Sequence, residues 1–468
     1  MKSRTLCRED SRTLTPPSPV NGRGRSSPLP LAGEVAQSAG EGAQRVRVLK
    51  IFLGVRLSAS FTRSKYFPWF LAGTCTVVLL VSNGLTATAL SVYDESILKE
   101  FGWSRGELKF RDLISFWLIA LLAPVGGVLI DRFGPRRMLS IGFLLLSVAY
   151  VLYSRLNSLG MLYAIHVLMA VGLLCASTLT CIILLSNWFD AKRGMAIGIA
   201  LVGTSLGGIV LSPLNAALIQ KLGWRQTFLL EAALPILMMA IVLLVVKNSP
   251  REVGATAVGV DPDSRRDLRL EGLSLPQAMR TRTFWAIGIS GMLTYYSILA
   301  LYSHLFLHMR GLGYEPVKAG FALSLLAMLA LTGKLITGAL ADRLDRRKVF
   351  IGSLMVMLAG LVGLASMKPG YVLPSIAVIG LGWGGVYTLY NVLSVTNFGL
   401  RSAGRINGMI STLESLGGGL GIWLTGALFD RYGSYQVPFT IMVAFVFTGM
   451  LLGTLIRNEV QLKTGDTH

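Results

Sequence analysis

The chain has 468 residues, of which 53% are hydrophobic and 15% charged, where a soluble domain spends about 25% of its residues on charge. Its mean hydropathy of +0.60 leaves too little polar surface to cover two or three soluble domains, which predicts a membrane protein and excludes an ordinary soluble enzyme. The net charge is +20, from 44 Lys and Arg against 24 Asp and Glu. The first 65 residues hold 12 basic and 4 acidic residues, and the remaining excess sits in short segments between apolar runs. Cytoplasmic loops carry that kind of excess, so a lipid bilayer is the expected partner and nucleic acid is not.

Residues 1–62 are rich in Ser, Pro, Gly and Arg without helical period, a composition expected to be disordered. They look like translated intergenic sequence from a bacterial genome, so the true start is expected downstream, near Val48 to Leu57. A signal peptide would need an apolar core near the start, which is absent. From Phe67 onward come twelve apolar runs, beginning near Phe67, Leu108, Arg137, Leu159, Gly194 and Gln226, then near Phe284, Lys318, Val349, Tyr371, Arg405 and Gln436. A helix needs about 20 residues to cross the roughly 30 Å hydrocarbon core. Barrel strands would alternate over about ten residues, so continuous long runs predict helices.

The organisation expected is a tail (1–62), a first six-helix bundle (63–247), a linker (248–282), a second bundle (283–457) and a tail (458–468). The linker carries Arg265, Arg266, Arg269, Arg280 and Arg282. It ends in a helix start with Ser274 as N-cap, Pro276 in the first turn and Gln277 at the capping-box position, expected as a short helix on the membrane surface. More Lys and Arg fall in the loops on the side of the termini than on the other side, which predicts cytoplasmic termini. Cys75, Cys175 and Cys181 lie inside apolar runs and Cys7 in the tail, with no C-x-x-C pair, so neither a disulfide framework nor a metal site is expected.

An internal repeat gives the most specific signal. Gly127, Asp131, Arg132, Gly134, Arg136 and Arg137 follow the second run; Gly338, Asp342, Arg343, Arg346 and Arg347 follow the eighth, with the two aspartates 211 residues apart. The glycines allow close helix approach, the acids suit helix N-termini, and the arginines favour the positive-inside face. These loops resemble the G-x-x-x-D-R-x-G-R-R signature of the major facilitator superfamily. The resemblance implies an all-α membrane fold of twelve transmembrane helices in two pseudo-symmetric bundles, both loops acting as gates, no cofactor, and a monomer in the bacterial inner membrane. In the second copy Asp345 stands where the first has Gly134.

The segments EFGWSRGEL (Glu100 to Leu108), NWFDAKRGMAIGIA (Asn187 to Ala200), LPQAMRTRTFW (Leu275 to Trp285), NFGLRSAGRINGM (Asn397 to Met409) and ALFDRYGSY (Ala427 to Tyr435) resemble the branch of monocarboxylate transporters and oxalate/formate antiporters. There are departures. The Gly-Pro pair of proton-antiporting drug exporters is replaced by Gly203, Gly207, Gly208 and a later Pro213. His166 stands at the usual fourth-helix arginine. Thr88 stands at the first-helix lysine of animal monocarboxylate carriers, and Ala330 and Lys334 stand at their eighth-helix Asp and Arg.

Lys334 lies eight residues before Asp342, about 12 Å into the membrane by helical rise. A charge there faces a cavity or a partner, or snorkels to the surface; a cavity-facing ammonium suits a carboxylate substrate. Glu414, in the eleventh run, is a proton-coupling candidate or a partner for Lys334, against the alternative of a structural hydrogen bond. His166 is a second coupling candidate, against simple hydrogen bonding. His304 and His308 are expected near the outer surface, and Trp69, Trp103, Trp188 and Trp285 in interfacial belts. In this fold the first and fourth helices of each half line the pathway, so Asn83, Thr86, Tyr295, Tyr296, Tyr387, Tyr390 and Asn391 are substrate-binding candidates, against ordinary interhelical packing. No phosphate-binding G-x-x-x-x-G-K-[ST] occurs, and GLGWGG and LGGGLG read as packing glycines within helices. The expected function is secondary active transport of a small organic anion, monocarboxylate or dicarboxylate, by alternating access with proton coupling or exchange. A carrier of another small solute or drug, or a non-transporting membrane sensor, are the alternatives.

Overall fold

A computed structural model of the chain describes residues 66–457, apart from 191, 260–271 and 400–401, together with 62, 64 and 459. The basic tail, Cys7, Arg265, Arg266, Arg269 and the final residues other than Glu459 lie outside the described residues. Helices dominate because a chain in lipid must satisfy every backbone group within its own segment. The first half consists of α1 (Phe67–Phe101), α2 (Arg105–Phe133), α3 (Pro135–Ser154), α4 (Leu159–Trp188), α5 (Arg193–Leu222) and α6 (Trp224–Val245). The second consists of α7 (Arg282–Gly311), α8 (Pro316–Ala341), α9 (Arg346–Ala365), α10 (Pro369–Phe398), α11 (Ala403–Tyr432) and α12 (Gln436–Gly453). Eleven of these are long and apolar enough to cross a membrane. The exception is α11, whose apolar content is diluted by Ser411, Thr412, Glu414, Ser415 and the run Gly417 to Gly419.

The connection between the halves contains a short helix, Leu275–Met279. The side chain of Gln277 accepts a hydrogen bond from the Ser274 N–H at 3.0 Å, the capping arrangement read from the sequence. The linker is pinned at both ends by backbone bonds. Val258 N–H donates to the Trp188 carbonyl at the end of α4, and Leu273 N–H to the Phe398 carbonyl at the end of α10.

Helix pairing follows the repeat. α1 packs on α5 as α7 packs on α11, and α3 packs on α6 as α9 packs on α12, while α2–α11 and α5–α8 join the halves. Buried apolar side chains form two large clusters, one drawn mainly from each half. Hydrophobic burial gives little drive between helices in lipid, so close packing must supply it. Gly203 and Gly207 supply it on α5: a Cβ at Gly203 would fall 2.0 Å from the Thr76 carbonyl oxygen of α1, and one at Gly207 would fall 2.7 Å from Gly84 Cα. Gly417 and Gly421 do the same on α11, with Cβ positions 2.1 and 2.2 Å from the Met292 and Tyr296 carbonyl oxygens of α7. The glycine runs GLGWGG and LGGGLG are thus helix-packing elements.

The two repeat loops sit at one end of the bundle, here the motif end, and are anchored alike. Arg136 donates to the Leu243 carbonyl of α6, and Arg347 donates to the Thr454 carbonyl just past α12. Both members of each bond are 211 residues apart from their counterparts. The loops differ where Asp345 replaces Gly134. Gly134 has φ of 79°, a left-handed conformation that favours glycine. Asp345 has φ of −58° and its carboxylate caps α9, accepting from Arg347 and Lys348 N–H. Asp131, Arg132, Asp342 and Arg343 are exposed, and no ion pair among the described residues engages them.

Burial corrects several expectations at helix ends. Trp188, expected at the interface, is buried against Phe67, with its indole N–H on the Lys247 carbonyl. His304 and His308, expected near the outer surface, are also buried. His304 bonds the Tyr435 hydroxyl at 3.1 Å and the Ile422 carbonyl at 2.9 Å, because α11 and the start of α12 close over this part of α7. Cys75, Cys175 and Cys181 are buried free thiols, as read.

The glycine contacts make a direct prediction. Gly203→Ala forces a methyl against backbone and should destabilise the protein by about 1–3 kcal/mol, lowering its melting temperature in detergent. Gly198→Ala, on the same helix but with nothing within 4 Å of the added Cβ, should leave the melting temperature unchanged or slightly raised. Equal effects from the two substitutions would contradict the packing account.

Candidate functional site

Lys334 is half-buried on α8. Its Nζ donates to Ser205 Oγ at 3.1 Å and Thr204 Oγ1 at 3.3 Å, both on α5 of the other half. It also lies 4.6 Å from the centroid of the Tyr387 ring on α10. The lysine therefore does not snorkel; hydroxyls and an aromatic face hold it at the junction of the halves. Gly384 makes this possible, since a Cβ there would fall 2.0 Å from the Ala330 carbonyl oxygen and 2.7 Å from Lys334 N. Among the described residues no carboxylate pairs with the ammonium.

An aromatic wall runs on from Tyr387. Its ring lies 5.7 Å from Trp383, which lies 5.1 Å from Tyr295, which in turn lies 6.4 Å from Tyr390. The Tyr390 hydroxyl donates to Thr294 Oγ1 at 3.2 Å and shares a 3.1 Å bond with Ser290 Oγ. Glu414, 8% exposed, approaches the same patch. A Cβ at Gly291 would lie 3.2 Å from Glu414 Cγ and 3.6 Å from Tyr390 Cε1. The wall thus has a cation at one end and a carboxyl group at the other, bridged by rings that offer both apolar faces and hydroxyl donors.

The other candidates separate. Tyr296, next to Tyr295, turns away and packs on Phe445 of α12 at 4.8 Å. Asn83 caps and Thr86 lies within a π-helical turn in α1, Gly84–Thr88, a feature frequent at functional sites. Asn83 Nδ2 meets only the neighbouring Ser82 Oγ, at 3.4 Å, while Thr86 donates to the Ser82 carbonyl at 2.7 Å. The side chain of Asn391 lies outside the described residues. His166 is buried among α2, α3 and α4 with both ring nitrogens engaged, Nδ1 with Ser115 Oγ at 2.8 Å and Nε2 with the Tyr153 hydroxyl at 2.5 Å. Lys334 with Tyr387, Trp383, Tyr295, Tyr390 and Glu414 forms one assembly; Tyr296 and His166 stand apart from it.

At the end opposite the repeat loops, the far end, lies a charged cluster that the sequence reading did not single out. Asp94 of α1 accepts from Lys109 and Arg111 of α2, all three buried. Lys109 also donates to Ser303 O and Oγ on α7, at 2.8 and 2.6 Å. Nearby, Glu95 takes two bonds from Arg310, at 2.6 and 3.0 Å. Asp430 accepts from the Arg105 and Gly106 N–H groups, and Arg105 donates to the Tyr435 hydroxyl. These bonds tie the first half to the second. The apolar run alone places the start of α2 near Leu108, with Lys109 to Asp112 at a wet helix end. The helix in fact begins at Arg105 behind a Ser104–Glu107 capping box. That box, S-x-x-E before an apolar run, was the available signal.

Comparison with known proteins agrees with this architecture. The family described as Major Facilitator Superfamily matches residues 73–422. Monocarboxylate transporter 13 of Rattus norvegicus is 30% identical over 341 residues, covering 70% of this chain and 74% of its own length. The oxalate:formate antiporter of Oxalobacter formigenes is 22% identical over 397 residues, covering 83% and 91%. The crystal structure of a bacterial homologue of the human lysosomal transporter Spinster, inward-facing and occupied, superposes with a TM-score of 0.67 at 17% identity, over 84% of this chain and 97% of that one. These relatives are transporters rather than enzymes. A twelve-helix bundle built from two like halves, with a charged and aromatic site at their junction, therefore belongs to the Major Facilitator Superfamily as an integral, multi-pass membrane transporter.

Proposed function

We propose that this transporter moves a small organic anion, a monocarboxylate or dicarboxylate, with Lys334 as the primary anchor for its carboxylate. The observation that carries this reading is an ammonium at the junction of the two halves, bonded only to hydroxyls and an aromatic face, with no carboxylate of its own among the described residues. Kinship with monocarboxylate transporters and an oxalate:formate antiporter supports the same substrate class. Tyr387, Trp383, Tyr295 and Tyr390 would hold the body of the substrate. Glu414 at the other end of the wall is the candidate for taking up a proton.

The two halves, 63–247 and 283–457, would alternate about this site. Bonds between them gather at the far end, in the Asp94–Lys109–Ser303, Glu95–Arg310 and Arg105–Tyr435 sets, whereas the Asp131 and Asp342 loops are free of ion pairs among the described residues. This pattern supports a state closed at the far end and open at the motif end. With the termini on the cytoplasmic side of a bacterial inner membrane, as the loop charges favour, that state faces inward.

Lys334→Ala should cut carboxylate uptake into proteoliposomes by about thirtyfold, the factor that corresponds to about 2 kcal/mol for a hydrogen bond to a charged group. Lys334→Arg should retain a measurable fraction. Wild-type uptake by Lys334→Ala would overturn the assignment. Weakening the far-end closure with Glu95→Gln should raise, several-fold, the labelling from the far side of a cysteine placed at Thr86. Unchanged labelling would show that the Glu95–Arg310 pair does not hold the closed state.

A further inference from the structure

The far-end cluster contains one group whose bonding is incomplete. Asp94 is satisfied on both oxygens, Oδ2 by Lys109 and Oδ1 by Arg111 Nη2, and Lys109 is satisfied by Asp94 and Ser303. Arg111 is 1% exposed, yet among the described residues its Nη1 has no hydrogen-bond partner and its Nε has only the Asp112 carboxylate nearby, beyond hydrogen-bond distance. The closest other carboxylate oxygen, Asp112 Oδ2, lies 3.7 Å from Nε and is likewise without a hydrogen bond. Unmet donors on a buried guanidinium carry a desolvation cost that a structural role does not require.

Those donors belong to a side chain that lines a small enclosed pocket. Its walls come from both halves: Thr86 of α1, Arg111, Asp112 and Phe116 of α2, Ser303 of α7 and Ile422 of α11. Thr86 lies in the π-helical turn of α1, so the pocket sits where the backbone already departs from regular helix. A planar guanidinium with free N–H groups matches a carboxylate better than an ammonium does. Asp94 holds the guanidinium plane in place through Nη2 and Asp112 faces Nε, leaving Nη1 for a ligand.

We infer that Arg111 forms a second carboxylate-binding subsite, at the far end of the pathway, in which its Nη1 receives the anion. The inference rests on the reading of the chain as an organic-anion carrier and adds a station to it. Arg111 is 21 residues from Arg132 and Lys334 is eight from Asp342, so by helical rise they lie about 30 Å and about 12 Å from the motif end. A small carboxylate does not span the roughly 20 Å between them. The two cations are therefore successive stations, Arg111 on the first half and Lys334 on the second.

The test is binding of formate, L-lactate, pyruvate and oxalate to the purified full chain in nanodiscs, followed by tryptophan fluorescence and calorimetry. Arg111→Lys keeps the charge but loses the Nη1 donor; it should weaken binding of the preferred anion at least tenfold. Asp94→Asn releases a further guanidinium donor and should tighten binding at least threefold, whereas a purely structural Arg111 predicts no tightening. Melting temperatures identify which variants are folded, and either folded variant decides the question alone. Binding by Arg111→Lys within threefold of wild type, or no tightening by Asp94→Asn, overturns the subsite. If wild type binds none of the four anions, the carrier reading itself fails and the subsite falls with it.

Discussion

An ionisable group carried into hydrocarbon must find a partner, a polar cavity or a route back to water, because leaving it bare costs several kcal/mol. That constraint organises this molecule. Most of its buried charges collect near where the two halves meet, while Glu231 is held inside the first half by the Tyr93 hydroxyl. Asp94, Lys109 and Arg111 satisfy one another at the far end and reach Ser303 on the other half. Lys334 finds hydroxyls across the same divide. Lys109 and Lys334 each bond hydroxyls on the opposite bundle, contacts that a rocking motion of the halves would exchange. On the proposed reading, a substrate anion replaces the lost partner of a cation so placed.

The scaffold that permits this is set by backbone proximity. Gly203 and Gly207 let α5 rest on α1, and Gly417 and Gly421 let α11 rest on α7. Gly384 does the same for α10 against α8, directly beside Lys334. Within each half glycines bring helix backbones together closer than side chains would allow, and the Lys109, Lys334 and Arg310 bonds between halves are made by side-chain tips. Rigid halves joined by exchangeable contacts are what a two-state carrier needs. The anchoring of both repeat loops by equivalent arginines, Arg136 and Arg347, attaches each loop to its own half rather than to the other.

Much of this was legible in the sequence, and the reasons are physical. Twelve helices could be placed because backbone in lipid has few alternatives, and the observed starts fall at or within three residues of those read from the apolar runs. The short linker helix announced itself by Ser274 and Gln277. Lys334 and Glu414 stood out as charges in apolar runs. What stayed hidden depends on facing and on pairing across helices. Tyr295 and Tyr296 are neighbours, yet consecutive residues on a helix point about 100° apart, and only packing shows that one meets Trp383 and the other Phe445. Trp383 itself was passed over inside a glycine run. Asp94 finds its partners on another helix, which no spacing rule reveals, and α2 began one turn earlier than expected. The histidines at 304 and 308 read as surface residues because nothing in the sequence shows that α11 and α12 cover them.

The most direct test of the account is counterflow by the wild-type protein in proteoliposomes. Vesicles loaded with a mixture of lactate, pyruvate, oxalate and succinate should accumulate a labelled carboxylate from outside, and unlabelled carboxylates should compete while sugars and cationic drugs do not. Counterflow of neutral or cationic solutes with no exchange of any carboxylate would contradict it.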